Sequence, residues 1–187
     1  MEKILFINAC VRKDSRTKIL ADHLLSKMSG EITEVKTAEI DFLPVDESFL
    51  KKRDALIASS NFDDSLFDHA RLFASADEIV IAAPYWDLSF PASLKQYFEQ
   101  INVLGITFAY TSEGIPNGLC KAKKLYYVTT AGGAFVPEDY GFGYVKALAQ
   151  GFYGIPEVRL IQATGLDIYG ADEEQIIRKA MDEIDGI

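Results

Sequence analysis

The sequence predicts a three-layer α/β fold around a five-stranded parallel sheet, with the strands in the order 2-1-3-4-5. Two observations carry that expectation. Short apolar runs at Ile4–Ile7, Ile79–Ala83, Leu125–Val128 and Val158–Ile161 are separated by stretches of helical periodicity, as in a chain of βαβ units. The first three runs are nearly continuous rather than alternating, as strands covered on both faces require. Right-handed crossovers then leave few orders open to five strands, and 2-1-3-4-5 is a leading one.

Each element follows in turn. Ile4–Ile7 opens the sheet. Leu20, Leu24 and Met28 repeat at four-residue spacing and mark the first helix. Glu31–Lys36 alternates and suits an edge strand. The stretch from Phe42 to Phe67 reads as an insertion carrying its own short helix, Glu47 to Ser59. Ile79–Ala83 is followed by a helix with Leu94, Phe98 and Ile101 on one side, and Pro91 suits its first turn. After Leu125–Val128, a helix opened by Pro137, Glu138 and Asp139 is expected to carry Tyr140 and Tyr144 four apart. Asp172 and Gln175 make a capping-box-like start for a last helix bearing Ile176, Ala180 and Ile184. One domain over residues 1–187 accommodates all of this, with no repeat, linker or low-complexity tract.

Bulk properties narrow the function. Hydrophobic residues make up 49% of the chain and charged residues 25%, a globular balance. Nineteen basic against 28 acidic residues give a formal charge of −9, which repels nucleic-acid backbones and anionic lipid. No apolar run approaches the roughly 20 residues that cross a bilayer. The start of the chain lacks the basic flank and apolar stretch of a signal peptide. Cys10 and Cys120 do not form a disulfide framework, so cytoplasm is the expected location.

In open parallel sheets, ligands bind beyond the carboxyl ends of the strands where strand order reverses, here between the loops after the first and third strands. The first loop, Asn8 to Thr17, ends with Ser15, Arg16 and Thr17 where a helix begins. Free amides and the positive end of the helix dipole favour a phosphate there. Asp14 or Ser15 acting simply as a helix cap is the competing reading. From Cys10 to Thr17 the loop also spells the cradle of the cysteine phosphatases, as in low-molecular-weight tyrosine phosphatases and arsenate reductases. It lacks a glycine, places Asp14 where a dianion would sit, and the chain has no Asp-Pro pair to supply an acid. Cys10 as a small buried hydrophobe is the remaining alternative.

After the third strand comes Pro84-Tyr85-Trp86-Asp87-Leu88-Ser89-Phe90-Pro91-Ala92-Ser93-Leu94-Lys95, largely aromatic and apolar. Opposite a phosphate cradle, such a loop suits a planar ring tethered to a phosphate. Pro84–Lys95 resembles the flavin loop of the FMN-dependent NADH-azoreductases and NAD(P)H:quinone oxidoreductases, which share a flavodoxin-like fold. Gly105–Thr111, with Gly114, Gly118-Leu119 and Lys123-Lys124, resembles that family's connection into the fourth strand. Thr129-Thr130-Ala131-Gly132-Gly133 resembles its next ligand loop, whereas Gly151–Ile155 fits more loosely.

The resemblance implies an FMN-dependent NAD(P)H:acceptor oxidoreductase, with hydride passing from NADH or NADPH through the flavin to a quinone-like or azo-like acceptor. It places Ser15, Arg16 and Thr17 at the FMN phosphate with Cys10 nearby, and Pro84, Tyr85, Trp86, Asp87 and Leu88 along the isoalloxazine. The Leu88 amide is a candidate donor to the reactive ring nitrogen. Thr130, Ala131, Gly132 and Gly133 meet the pyrimidine edge. The implied assembly is a homodimer, with Phe108, Tyr110 and Tyr140, and also Phe142 and Tyr144, as candidates for the wall of the acceptor pocket; plain core packing is the alternative for Tyr140 and Tyr144. No protein group or metal is expected to carry the chemistry, which is the flavin's. Azoreductases usually carry Met-Tyr-Asn-Phe where this chain has Tyr85-Trp86-Asp87-Leu88, and Arg where it has Ala131. Losing the cation and gaining Asp87 both favour a lower flavin potential, unless Asp87 turns into solvent or caps its own loop. A flavodoxin-type electron carrier without nicotinamide turnover is the main rival; the phosphatase using Cys10 and Arg16 is the lesser one. His23 and His69 lie in helical patterns away from the ligand loops.

Overall fold

The computed structural model describes residues 1–187. In chain order the elements are β1 (Lys3–Asn8), α1 (Arg16–Lys27), β2 (Glu31–Lys36), α2 (Glu47–Ala58), α3 (Asp68–Ser75), β3 (Glu78–Ala82), α4 (Ala92–Ile101), β4 (Phe108–Tyr110), β5 (Pro116–Gly118), β6 (Lys124–Thr130), α5 (Phe142–Leu148), β7 (Glu157–Ala163) and α6 (Glu173–Asp185). β2, β1, β3, β6 and β7 form one parallel sheet in that order, which is 2-1-3-4-5 when only its own strands are counted.

Alternation along the central strands sorts their side chains into two cores. Ile4 and Phe6 of β1, Val80 and Ala82 of β3, and Tyr126 and Val128 of β6 face one way, against Leu20 and Leu24 of α1 and Ala180 and Ile184 of α6. Leu5, Ile7, Ile79, Ile81, Leu125 and Tyr127 face the other, against α3, α4 and α5. Both faces are thus buried, and the sequence shows continuous apolar runs where the structure has two alternating sets. β2 is the edge strand, with only Val35 buried. α2 fills the span expected to be helical within residues 42–67, and Phe49 is its one buried residue.

The ends of the helices differ from expectation in two places. Pro91 is the cap before α4 rather than part of its first turn. α5 begins at Phe142, after the cap Gly141, so Tyr140 precedes the helix and is not four-spaced with Tyr144 on it. Gly143 donates to the Glu138 carbonyl at 2.6 Å, closing a turn over Glu138–Gly143. Glycines at 141 and 143 weaken any earlier helical start. An antiparallel hairpin, β4 with β5, was not anticipated. Its closest packing is on Gly154, φ +73°. A Cβ on Gly118 would lie 2.1 Å from the Gly154 nitrogen.

Candidate functional site

Strand pairing continues past the strand ends and sets three loops side by side. Ala9 donates to Ala82 at 2.8 Å, Ala83 to Val128 at 3.0 Å and Tyr85 to Thr130 at 3.0 Å. Between these loops opens a cleft of about 420 Å³, within the range of roughly 300–1,000 Å³ typical of ligand sites. Val11, Arg12 and Asp14 to Thr17 line one side, and Pro84, Tyr85 and Trp86 the other. Thr130 and Gly132 lie at the end of β6, and Asp167 and Glu173 close the side toward α6.

The first loop is shaped by Asn8, whose side-chain oxygen accepts from the Cys10 amide at 2.9 Å while its amide donates to Glu34 at 2.8 Å. Ser15 caps α1, accepting from the Lys18 amide at 3.3 Å. The cap reading therefore describes its hydroxyl, and the first-turn amides of Arg16 and Thr17 have no intrahelical acceptor by position. These amides and the helix dipole favour an anion at this end. The Thr17 hydroxyl is fully buried and meets the Thr130 hydroxyl at 2.7 Å, pinning α1 to the end of β6.

Arg16 reaches across the cleft. Its Nη1 donates to Asp167 at 2.8 Å and to Glu173 at 3.4 Å. The guanidinium holds the Asp167 carboxyl below the usual carboxylate range. That carboxylate lies over Gly132, where a Cβ would sit 2.1 Å from Oδ2.

Cys10 turns its thiol toward the sheet, donating weakly to the Ala82 carbonyl at 3.8 Å. Burial raises its pKa, against a smaller lowering by Ser15 and Lys18. A phosphatase nucleophile needs a depressed pKa, so the environment opposes that reading. Burial likewise pushes Cys120 up to about 12.

The third loop presents Pro84, Tyr85 and Trp86 to the cleft, with Trp86 40% exposed. It then folds into a tight two-residue turn, Trp86 and Ser89 exchanging bonds of 3.1 and 2.7 Å. Asp87 and Leu88 take φ of +48° and +67° to make it, the left-handed pair of a type I′ turn. Asp87 is exposed at the tip, outside the cleft lining. Tyr85 borders a second space of about 10 Å³ with Tyr127 and Thr129. All three hydroxyls are buried without a protein partner, in a volume on the scale of one water.

Of the residues expected at the ligand, Ser15, Arg16, Thr17, Pro84, Tyr85, Trp86, Thr130 and Gly132 share the cleft. Cys10, Asp87, Leu88, Ala131 and Gly133 lie beside it in the same three loops, with Ala131 buried. Phe108 of β4 packs edge-on to Tyr110 and to Phe152, which follows α5, and does not line the cleft. Tyr110 and Tyr140 are exposed, at 52% and 58%. Phe142 stacks near Tyr127, and Tyr144 packs on Phe90 and Phe98, so these two serve the core. Asp167 and Glu173 were missed. The available signal was topological: the loop after the last strand abuts α1 in this strand order, and Glu173 follows the recognisable cap Asp172.

The donor set fits a phosphorylated planar ligand: amides and an arginine at one end, proline and aromatic rings at the other. Comparison with known proteins adds the lineage. A family model described as flavodoxin-like fold matches residues 2–187. An FMN-dependent NADH:quinone oxidoreductase of Lachnoclostridium phytofermentans is 35% identical, over 98% of this chain and 96% of its own length. A protein of the same name from Coprothermobacter proteolyticus is 36% identical over the same shares. Among solved structures, an azoreductase from Bacillus anthracis superposes with a TM-score of 0.85 at 23% identity, covering 98% of this chain and 97% of that one. An FMN-dependent NADH-azoreductase of the same species, solved with FMN, gives 0.83 at 22% identity, covering 100% and 97%.

Proposed function

The chain belongs to the flavodoxin-like family that includes the FMN-dependent NADH:quinone oxidoreductases, and on that premise we propose that it is an FMN-dependent NAD(P)H oxidoreductase reducing quinone-like or azo-like acceptors by two electrons. The observation that carries the reading is the cleft, which joins an anion-binding helix end to an aromatic loop within one continuous space. Ser15, Arg16 and Thr17 would hold the FMN phosphate through the first-turn amides and the guanidinium. Pro84, Tyr85 and Trp86 would flank the ring system. Thr130 and Gly132 would border its polar edge.

Bound FMN supplies the two-electron chemistry itself. The protein's contribution is placement. The Thr17–Thr130 contact fixes the phosphate end relative to the strand tips. The Trp86–Ser89 turn fixes the aromatic loop against the same sheet. Asp87 at the exposed tip leaves the cleft's own lining, near the proposed ring, free of a carboxylate from this loop. Tyr110 and Tyr140, exposed in one copy, are assigned to the face where a second copy closes the acceptor pocket. Sedimentation of a monomer at working concentration would remove that part alone.

The decisive experiment is an absorption spectrum of the purified protein with FMN, followed by anaerobic NADH. A yellow complex that bleaches, then recovers its colour on adding a quinone, is expected. Binding without bleaching would leave an electron carrier, and no binding would end the reading.

A further inference from the structure

Two arginines and three carboxylates, Arg12, Arg16, Asp14, Asp167 and Glu173, line the cleft, so a site read as binding a phosphate carries an excess of negative charge. The side chain best placed to offset this is already engaged. Arg16 is only 26% exposed, and the same nitrogen, Nη1, serves both Asp167 and Glu173. Asp167 is held from two directions. Its amide donates to the Gly132 carbonyl at 2.9 Å, and its side chain fills the space where any residue other than glycine at 132 would put a Cβ. The carboxylate is thus built into the ligand loop as a counter-ion for the arginine of the facing helix.

We propose that Asp167 sets the affinity and specificity of the cleft for phosphorylated flavin, acting as an internal anion that competes with the ligand's phosphate for Arg16. The inference rests on the FMN reading of the cleft. A phosphate dianion arriving at the start of α1 meets a guanidinium whose charge is already neutralised, and it lies close to a second fixed negative charge. Binding therefore requires Arg16 to be shared or surrendered by Asp167. Glu173, more distant at 3.4 Å and at the favourable N-terminal end of α6, plays the same part more weakly. A neutral amide at 167 still accepts a hydrogen bond from Nη1, so Asp167→Asn removes the competing charge while keeping the geometry.

The test is titration of FMN and of riboflavin, followed by flavin fluorescence, in the wild type and in Asp167→Asn, Glu173→Gln, Arg16→Gln and the Arg16→Gln/Asp167→Asn pair. Asp167→Asn is expected to tighten FMN binding about fivefold at low salt, the scale of one partly exposed charge interaction. Riboflavin, which lacks the phosphate, should bind unchanged. Glu173→Gln should give a smaller gain, and its exposed position keeps the test open even if the 167 variant folds poorly. The gain should shrink in high salt and be smaller when Asp167→Asn is made in the Arg16→Gln background, where only direct repulsion of the phosphate is left to relieve. Equal or weaker FMN binding by Asp167→Asn, or a matching change for riboflavin, overturns the proposal while the FMN site stands. A wild type with no affinity for FMN overturns both.

Discussion

Thr17 Oγ1 and Thr130 Oγ1 lie 2.7 Å apart, buried where the first turn of α1 meets the end of β6. The two hydroxyls satisfy each other and join the proposed phosphate end of the cleft to the strand that carries the polar edge. Thr17→Val keeps the volume but strands the Thr130 hydroxyl. A loss of about 1–3 kcal/mol is expected, the cost of an unsatisfied buried group. Adding Thr130→Val should recover part of it, because the orphan is then removed. Urea denaturation of the two single variants and the double measures both terms. Strict additivity would show that the contact contributes nothing.

Asp87 and Leu88 hold φ of +48° and +67° in the turn at the exposed tip of the aromatic loop. Non-glycine residues there carry about 1–2 kcal/mol each of left-handed strain. Leu88 is 45% exposed, so its side chain returns little burial. Replacing the pair by Asn-Gly, the preferred type I′ dipeptide, should stabilise the fold by about 1 kcal/mol. Thermal melting reads the gain, and FMN titration shows whether the backbone alone serves the ligand. A stabilised protein with much weaker flavin binding would assign a binding role to the Asp87 or Leu88 side chain.

Gly118 gives a sharper case of steric necessity. A Cβ there meets three backbone atoms of Tyr153 and Gly154 at 2.1–2.4 Å, none of which can swing aside. Gly118→Ala should cost at least the roughly 1–3 kcal/mol of an overpacked core, through separation of the hairpin from the turn at Gly154. Gly114→Ala, with open space around it but φ +78°, should cost about 1 kcal/mol from backbone conformation alone. Comparing denaturant midpoints of the two variants separates close approach from backbone strain. Similar losses would mean that the hairpin yields readily.

The sheet was legible because both cores demand apolar residues at successive positions, and Ile4–Ile7 or Ile79–Ala83 have no other simple reading. The loops at the strand tips were legible too, since strand order alone brings the ends of β1, β3 and β6 together. The Arg16–Asp167 pair was not: Arg16 is marked by its place at the start of a helix, but its partner lies 151 positions away and nothing local marks Asp167. The hairpin escaped for a different reason. Phe108–Tyr110 and Pro116–Gly118 are only three residues each, too short for alternation to register, and Gly118 matters through what it touches rather than through its neighbours in sequence. Tyr140 failed as a helical residue because Gly141 caps α5 and the helix begins only at Phe142.

His69 supplies a prediction about pH. It sits on α3 with its ring edge toward Tyr97, centroids 5.7 Å apart, and burial lowers its pKa from the ordinary 6.5 while neighbouring Asp68 opposes the shift. The folded state then binds fewer protons at this site than the unfolded chain does. Stability from this residue is fully present above the unfolded value and is lost as pH falls through it and on toward the folded value. Asp77, Asp167 and Asp185 are held below the ordinary carboxylate value and lose their contributions only at lower pH, so they leave this window clear. Urea midpoints should therefore fall between about pH 7.5 and pH 5.5 in the wild type, with the slope flattened in His69→Gln. The same slope in both proteins would assign the acid sensitivity to another group.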